Sequence, residues 1–511
     1  MAYVIGVDIG TSSTKAVLFD EQGVQIGKRA QSYALNSPVA GAAEQDAQDI
    51  LQATVKTVSQ VVADSGIDPA QLLGIAFSAA MHTLLLVDES GQPLTPMYTW
   101  ADSRSHDWVG FVRSHSPELY SKTSVPIHPM SPVVKLAWLR HEHSEIFDRA
   151  ARIVSIKEYV LHEWCGQWLI DVSMASTTGL LNLVNQGWEP TALDAAGIEQ
   201  SQLSEIVPTT HQLALRAEMA EAMNLAPQTV VVIGASDGVL ANLGVGAIAS
   251  DVAAITLGTS GAVRRVLPQP KVTEQGQLFC YPLVADCWVM GGAVNNGGYL
   301  LQWTRDNLVP YSVPPDEGEM ATLEPSKSTY ARLTKMASAI APGADGLIFH
   351  PHLLGARSPL WDAQARASFF GLGKHHTQGH LVRAVMEGVL YNLQSVFGTL
   401  EAAGGDVSTL RASGGFAHSD LWQQILADVF EREVQVPTVI ESSAFGAAVL
   451  ALVSLGRWDS LDRVEGAIDI AHVRRPIAEH VRRYQKLMPI YAELLTSLSG
   501  QYAALQQAIA D

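Results

Sequence analysis

The sequence predicts an α/β protein made of two large, related domains, and three observations carry that prediction. The chain has 511 residues, more than one hydrophobic core ordinarily serves, so it should divide. Residues 1–95 read in order as strand, strand, strand, helix and strand. The stretch GVDIGTSSTKAVLFD (residues 6–20) is echoed by AITLGTSGAVRRVL (residues 254–267) half a chain later.

The elements follow one by one. YVIGVDIG and TKAVLFD are rich in β-branched and apolar residues and read as strands, DEQG is a hairpin turn, and VQIGKRAQSYAL is a third strand. A helix is expected through AQDILQATVKTVSQVVADSG, where apolar residues recur at helical spacing and Gly66 lies beyond the end. LLGIAFSAA and TLLLVDESGQPL then read as a further strand pair, with a turn at Asp88 to Gly91. Three antiparallel strands, a helix and another strand make a mixed sheet with helical cover. Aligning Gly10 on Gly258 also matches Thr11 with Thr259 and Ser12 with Ser260, each ahead of an apolar strand, which points to duplication. The Gly/Ala-rich ANLGVGAIAS marks the boundary and a hinge, giving domains of 1–246 and 247–511. The C-terminal run from HVRRYQK onward is helical in pattern and should pack on the second domain.

Composition narrows the function. Apolar residues make up 47% and charged residues 16%, as in an ordinary globular protein with a sizeable core. The net charge of −18 (33 basic, 51 acidic) argues against non-specific nucleic-acid binding and against docking on an anionic membrane. An anionic substrate would need a local cationic pocket. Cys165, Cys280 and Cys287 form no CxxC pair and no even disulfide framework, which fits buried thiols in a reducing cytoplasm. MAYVIGVD runs straight into a strand pattern with no signal-peptide character. The apolar stretch 230–258 is broken by Asp237 and Asp251, unlike a membrane span.

A Gly-Thr-Ser turn between strands aims backbone N–H groups and hydroxyls at one spot and makes an anion nest. Gly10, Thr11, Ser12 and Ser13 form the first such loop and Gly258, Thr259 and Ser260 the second; Lys15 adds a point charge suited to a phosphate. Asp8 repels a phosphate unless Mg²⁺ lies between them. For either loop alone, a tight hairpin with a surface Asp is the ordinary alternative. No GxxxxGK[ST] occurs, and GLGKHH (residues 371–376) has the wrong spacing for a P-loop.

With these loops in place, the sequence resembles the FGGY carbohydrate kinases, within the fold group of actin, hexokinase and the Hsp70 ATPases. DIGTSSTK and LGTSG resemble the two phosphate motifs. MSPVVKLAWLRHE (130–142) matches the family's first signature except at His141, and ASFFGLGKHHTQGHLVRAVMEG (367–388) fits the second. SGGFAHSDLWQQILADVF (413–430) and ESSAFGAA (441–448) resemble the adenosine-site segments. The resemblance implies two related actin/hexokinase-like (ribonuclease H-like) domains with mixed sheets flanked by helices, an active site in the cleft between them, MgATP as phosphoryl donor, and Gly414, Gly415, Ala444 and Gly446 beside the nucleotide. A homodimer is a family expectation. The family commonly has Glu where Ala356 stands, which puts an ion-pair role there in doubt and leaves Arg357 in need of another partner.

Alone, Asp237 in GASDGVLANLG reads as a turn or helix-cap residue. The resemblance makes it the carboxylate that accepts the proton of the attacking sugar hydroxyl. Met81 and His82 match positions that contact the substrate in relatives; a core histidine is the ordinary alternative. Trp100, Asp102 and Arg104 alternate, so in an extended segment they would face one side as a polyol site, with an internal ion pair as the alternative. FSAAMHTLLLVDESGQPL and TWADSRS look most like gluconokinases, with Arg104 or His82 as the cation for a substrate carboxylate. The expectation is ATP-dependent phosphorylation of D-gluconate by a cytoplasmic enzyme. The rivals are a xylulokinase or other polyol kinase and a non-catalytic sugar/ATP sensor. The His pairs 141/143, 350/352 and 375/376 lack metal-ligand spacing and read as loop residues.

Overall fold

In a computed structural model, which describes residues 2–309, 327–438 and 441–510, the opening of the chain folds as its alternation predicts. Tyr3–Ile9 pairs antiparallel with Ser13–Asp20, which pairs antiparallel with Gln25–Ser32. The turn between the latter two is closed by Gly23 N–H on the Asp20 carbonyl (3.0 Å), while the Asp20 carboxylate accepts from the N–H groups of Gln22 and Val24 (both 2.9 Å). Gly23 takes φ 86°, open to glycine at no steric cost. Helix Ala47–Ser65 begins where the Asp46 carboxylate accepts from Gln48 and Asp49 N–H, a cap worth about 1 kcal/mol. It ends at Gly66 in the left-handed conformation and buries Ile50, Ala53, Val58, Val61 and Val62 as a stripe.

The chain gathers into two units, each assembled from segments distant in sequence. The first comprises Met1–Ser250, Arg265–Met290 and Val439–Asp469; the second comprises Asp251–Arg264, Gly291–Thr438 and Ile470–Asp511. The chain therefore passes from one unit to the other more than once. Residues 241–250 are packed: helix Asp237–Gly244 is buried, and the Asn242 side chain donates to the Ala247 carbonyl at 2.6 Å.

In the first unit the six-stranded sheet runs Gln212–Ala214, Val230–Ser236, Leu72–Ala79, Tyr3–Ile9, Ser13–Asp20, Gln25–Ser32. Leu72–Ala79 is parallel to both neighbours, and Gln212–Ala214 closes the edge antiparallel. The expected pairing of LLGIAFSAA with TLLLVD does not form. Leu85–Val87 pairs instead with Arg152–Val154. Leu72–Ala79 is buried at almost every position, as befits a central parallel strand whose partners come from far along the chain. Ile5, Val7, Phe77, Ile233 and Trp164 belong to the core, with the Phe77 ring edge-on to Trp164 at 5.2 Å.

A seven-stranded sheet runs Phe279–Val284, Cys287–Val294, Gly261–Leu267, Val252–Leu257, Thr409–Ser413, Glu433–Pro437, Ile470–Arg474. Val252–Leu257 and Thr409–Ser413 are parallel, as are Thr409–Ser413 and Glu433–Pro437, and Ile470–Arg474 lies antiparallel at the edge. Apart from the added edge strand Phe279–Val284, this repeats the first sheet: three strands, two parallel additions, one antiparallel edge. The echo of Gly-Thr-Ser is thus the visible trace of a duplicated topology.

Helix Ala478–Ala510 packs in the second unit, where Tyr484 donates to Glu387 at 2.7 Å and His480 contacts Asp428 at 2.8 Å. In two of the histidine pairs one member lies in a regular element, while His143 and His352 lie outside any helix or strand. His350 ends the buried strand Ile348–His350, His352 is buried beside it, and His141 lies in helix Pro132–Glu142. Arg357 finds its partner in the backbone, donating to the Val294 carbonyl at 3.3 Å, while Ala356 packs with Ala365 and Tyr502. The three cysteines are free thiols. Among the described residues, no cluster of His, Cys, Asp or Glu suits a metal ion, and no helix is long and apolar enough to cross a membrane.

Candidate active site

The first hairpin carries its charge by strand register. Asp8 stands opposite Lys15 on one side and Ser78 on the other, so the three side chains share a face of the sheet. Ser78 donates to the Asp8 carboxylate at 2.8 Å. Burial pushes the Asp8 carboxyl above its ordinary range against the pull of Ser78 and Lys15, and Glu441 adds to the push. Lys15 is not a loose point charge: its Nζ lies 2.8 Å from Glu441 Oε2, while Lys28 holds the other carboxylate oxygen at 3.0 Å. Burial pulls Lys15 down, but the bond and charge of Glu441 outweigh it and leave Lys15 above its usual value.

The turn is closed by Gly10 N–H on the Ser13 carbonyl at 3.1 Å, and the Tyr33 hydroxyl donates to the Gly10 carbonyl. Thr11 accepts twice: its hydroxyl from the Trp100 indole N–H at 3.0 Å and its carbonyl from Gln45 at 2.6 Å. The Ser12 carbonyl takes the Tyr33 N–H at 3.3 Å. The Thr11 hydroxyl keeps its proton for donation to an anion.

Asp237 owes its place to a bulge. The register of Val230–Ser236 against Leu72–Ala79 shifts between Val232 and Ala235, at Gly234. A Cβ on Gly234 would fall 1.8 Å from the Phe77 carbonyl oxygen, so only glycine fits. The strand then ends at Ser236, and Asp237 opens helix Asp237–Gly244, half-buried, with one carboxylate oxygen accepting from Gly238 N–H at 2.7 Å. His82 is buried at φ 60°, a strained conformation for a non-glycine residue, and its Nδ1 lies 2.7 Å from the Thr177 carbonyl. A carbonyl only accepts, so Nδ1 carries hydrogen. Met81 sits half-buried in the same turn.

The Trp100–Asp102–Arg104 segment corrects the expectation of an extended ligand face. Residues 100–103 form a turn leading into the 3₁₀ helix Arg104–Trp108. Asp102 is 1% exposed and already engaged, accepting from Ala43 N–H at 3.0 Å and from Arg104 Nη2 at 2.6 Å. Arg104 Nη2 also meets Glu44 at 2.6 Å, and the guanidinium lies over the Tyr98 and Trp138 rings at 5.2 and 5.0 Å. The alternating spacing brings Asp102 and Arg104 together as an internal ion pair. With Glu44 as a second carboxylate, Arg104 is not the uncommitted cation that a substrate carboxylate would need. Lys135 is fully buried nearby, its Nζ donating to the Met130 carbonyl at 2.5 Å; burial lowers it to about 7.

The second hairpin closes differently, with Gly258 N–H on the Ser260 carbonyl (2.9 Å), one residue tighter than the first. Gly298 N–H reaches the Gly258 carbonyl at 2.6 Å and Gly297 N–H the Thr259 carbonyl at 3.0 Å, fixing the loop from behind. The glycines then separate into two kinds. Gly414, at φ 100°, has no room for a Cβ, which would lie 2.5 Å from the Leu257 carbonyl oxygen. At Gly258 and Gly415 no described atom comes within 4 Å of where a Cβ would stand. Their missing side chains keep space clear without being demanded by packing. Ser413, before this turn, shares a hydrogen bond with Thr256 at 3.1 Å.

Ala444 and Gly446 belong to helix Ser442–Ser454 of the first unit and are buried in its packing. A Cβ on Gly6 would lie 1.8 Å from the Ala444 carbonyl oxygen, and one on Gly446 would lie 2.2 Å from that of Leu240. Their small size lets this helix press against strand Tyr3–Ile9 and helix Asp237–Gly244. Ser78, Glu441, Thr177 and Glu44 were missed in the sequence. Glu441 stood inside the quoted ESSAFGAA, but no local spacing links it to Lys15, 426 residues away.

The N-terminal domain model of the FGGY family of carbohydrate kinases matches residues 3–244, and the C-terminal domain model matches residues 253–455. A gluconokinase of Bacillus subtilis (strain 168) is 43% identical over 99% of this chain and 98% of its own. The solved structure of a gluconate kinase from Lactobacillus acidophilus is 32% identical with a TM-score of 0.91, covering 99% of both chains. That of a ligand-bound xylulose kinase from Lactobacillus acidophilus is also 32% identical, with a TM-score of 0.92, covering 99% of this chain and 100% of that one. Two α/β units with mixed sheets, paired glycine hairpins and full-length likeness agree: the chain belongs to the FGGY family of carbohydrate kinases.

Proposed function

We propose that this chain phosphorylates D-gluconate with ATP, giving 6-phosphogluconate and ADP. The observation that carries the substrate assignment is the 43% identity to a gluconokinase along essentially the whole chain. Kinases of this family use ATP. In the proposed reaction the terminal hydroxyl of the sugar acid gives its proton to Asp237 while its oxygen takes the γ-phosphoryl group and ADP leaves. Asp237 suits this role because the glycine bulge before it ends the strand there and places its carboxylate in the first turn of helix Asp237–Gly244.

The amides and hydroxyls of Gly10–Ser13 and of Gly258–Ser260 would hold phosphate oxygens, and Gly414 and Gly415 would admit the nucleotide. The domain assignment follows: residues 1–246 carry the sugar site and the first loop, and residues 247–511 the second loop and ATP. Mg²⁺ enters here as part of the MgATP substrate. A buried carboxylate, Asp8, beside a hydroxyl and in no cluster of three or more metal-ligating side chains among the described residues, suits a metal that brings its own phosphates and waters. It would supply charge neutralisation on the transferring group. His82 Nε2 and Met81 would line the sugar, with Trp100 bridging the sugar side to Thr11.

ADP release by the purified protein with MgATP tests this, comparing D-gluconate, D-xylulose, glycerol and no sugar. Gluconate-dependent turnover is expected. Xylulose is the second reading because the equally similar solved structure is a xylulose kinase; turnover on xylulose alone would overturn the substrate assignment and keep the kinase. ATP binding with no turnover on any sugar would point to a sensor.

A further inference from the structure

One short helix touches both groups on which the proposed chemistry depends. Helix Val172–Thr177 is buried along its whole length. At one end the Ser173 hydroxyl is 2.9 Å from that of Ser236 and accepts the Ser236 backbone N–H at 3.3 Å. Ser236 is the residue immediately before Asp237, where the strand turns into the helix. At the other end the Thr177 carbonyl holds the His82 ring at 2.7 Å. The helix is itself pinned by Asp171: one carboxylate oxygen caps it through Met174 N–H at 2.9 Å, and the other meets the Lys157 ammonium at 2.5 Å. Lys157 and Asp171 are 1% and 0% exposed.

We propose that helix Val172–Thr177 is a two-ended positioning element: Ser173 sets the backbone that aims Asp237, the Thr177 carbonyl sets the ring of His82, and the buried Lys157–Asp171 pair keeps the helix in register. The inference rests on the roles given above to Asp237 and His82. A buried ion pair is a poor source of net stability but a strong constraint on geometry, because neither charge can move without stranding the other. The Lys157 charge also attracts Asp237. Reacting groups must be held to a fraction of an ångström, so a device that fixes two of them through hydrogen bonds acts on turnover before it acts on folding. Ser173 and Thr177 are positioning residues here; neither is assigned contact with substrate.

Ser173→Ala, Ser236→Ala and the double variant test this, with Lys157 and Asp171 left intact. Gluconate and ATP kinetics are read beside thermal unfolding. For Ser173→Ala the expected result is a kcat lower by about 10- to 100-fold, with both KM values and Tm close to wild type. The double variant should be no slower than Ser173→Ala, since both act through one contact. Wild-type kcat in Ser173→Ala, multiplicative losses in the double variant, or a loss that only follows a lowered Tm would overturn the proposal. Asp237→Ala run alongside separates the two readings. If it stays active, the assignment of the base fails; if it is inactive while Ser173→Ala is wild type, only the positioning inference fails.

Discussion

The two Gly-Thr-Ser hairpins share a sequence and a place in a repeated sheet, yet their surroundings differ. Aligning Gly10 on Gly258 puts Thr256 where Asp8 stands and Val263 where Lys15 stands. The first hairpin is built around charge: a buried carboxylate, a lysine and the Glu441 that neutralises it. The second is built mainly around backbone, with Gly297 and Gly298 bonding its carbonyls and Gly414 pressed on Leu257, while the Thr256 hydroxyl bonds Ser413 and accepts from Arg264. Duplication preserved the Gly-Thr-Ser sequence and the order of the strands around it, while the buried charge is concentrated in one copy. A symmetric fold does not imply a symmetric division of labour.

The largest test of that asymmetry is Asp8→Asn against Thr256→Val. Asp8→Asn should lower kcat by about 10²- to 10³-fold, because it removes the only acid among the described residues bonded to Ser78 on that face. Its Tm should hold or rise, since a buried carboxylate costs desolvation that an amide avoids. Thr256→Val should change kcat by less than about threefold, because the Thr256 hydroxyl carries no charge of its own: it shares a hydrogen bond with Ser413 and accepts a long one, 3.4 Å, from Arg264. Equal losses at both positions would erase the distinction drawn between the hairpins.

A smaller effect divides the glycines of the second hairpin. Gly414→Ala forces a Cβ onto the Leu257 carbonyl at a φ of 100°, and should cost about 1–3 kcal/mol of stability by denaturant titration. Gly258→Ala meets no described atom within 4 Å. It should leave stability within about 0.5 kcal/mol and instead raise the KM for ATP. If Gly258→Ala unfolds the protein with nucleotide kinetics intact, its openness has nothing to do with phosphate.

The limits of the sequence follow the same division between local and distant. The opening meander, the helix capped by Asp46 and ended at Gly66, and both hairpins were legible because alternation, caps and turn residues are local signals. The pairing of Leu72–Ala79 was misread because its neighbours are distant in sequence, 156 residues away at Val230 opposite Gly74 and 70 at Val4 opposite Gly74. Trp100, Asp102 and Arg104 were singled out for an alternation that presupposed an extended chain. The turn at Trp100 overrides it, and the carboxylate that completes the Arg104 site, Glu44, lies on another segment. Ala444 and Gly446 show the opposite limit. Small residues mark close approach, but the sequence does not say whether to a ligand or to a neighbouring backbone, and here it was backbone.

The smallest effect concerns what the first hairpin alone possesses, the carboxylate of Glu441 between Lys15 and Lys28. Burial works to raise the Glu441 carboxyl, but the bonds and charges of the two lysines outweigh it and hold the group below its ordinary 4.5. A carboxyl lowered by folding contributes stability above its unfolded value, and that contribution is lost as pH falls through the folded value. Glu441→Gln should therefore be less stable than wild type near neutral pH, and the gap should close as the pH drops below about 4.5. Because the lysines are partly exposed, at 34% and 43%, the gap should not exceed about 1 kcal/mol and should shrink in high salt. A gap that persists unchanged at acid pH would mean that Glu441 acts through packing of its stem, and the first hairpin's charge would then be a matter of Asp8 alone.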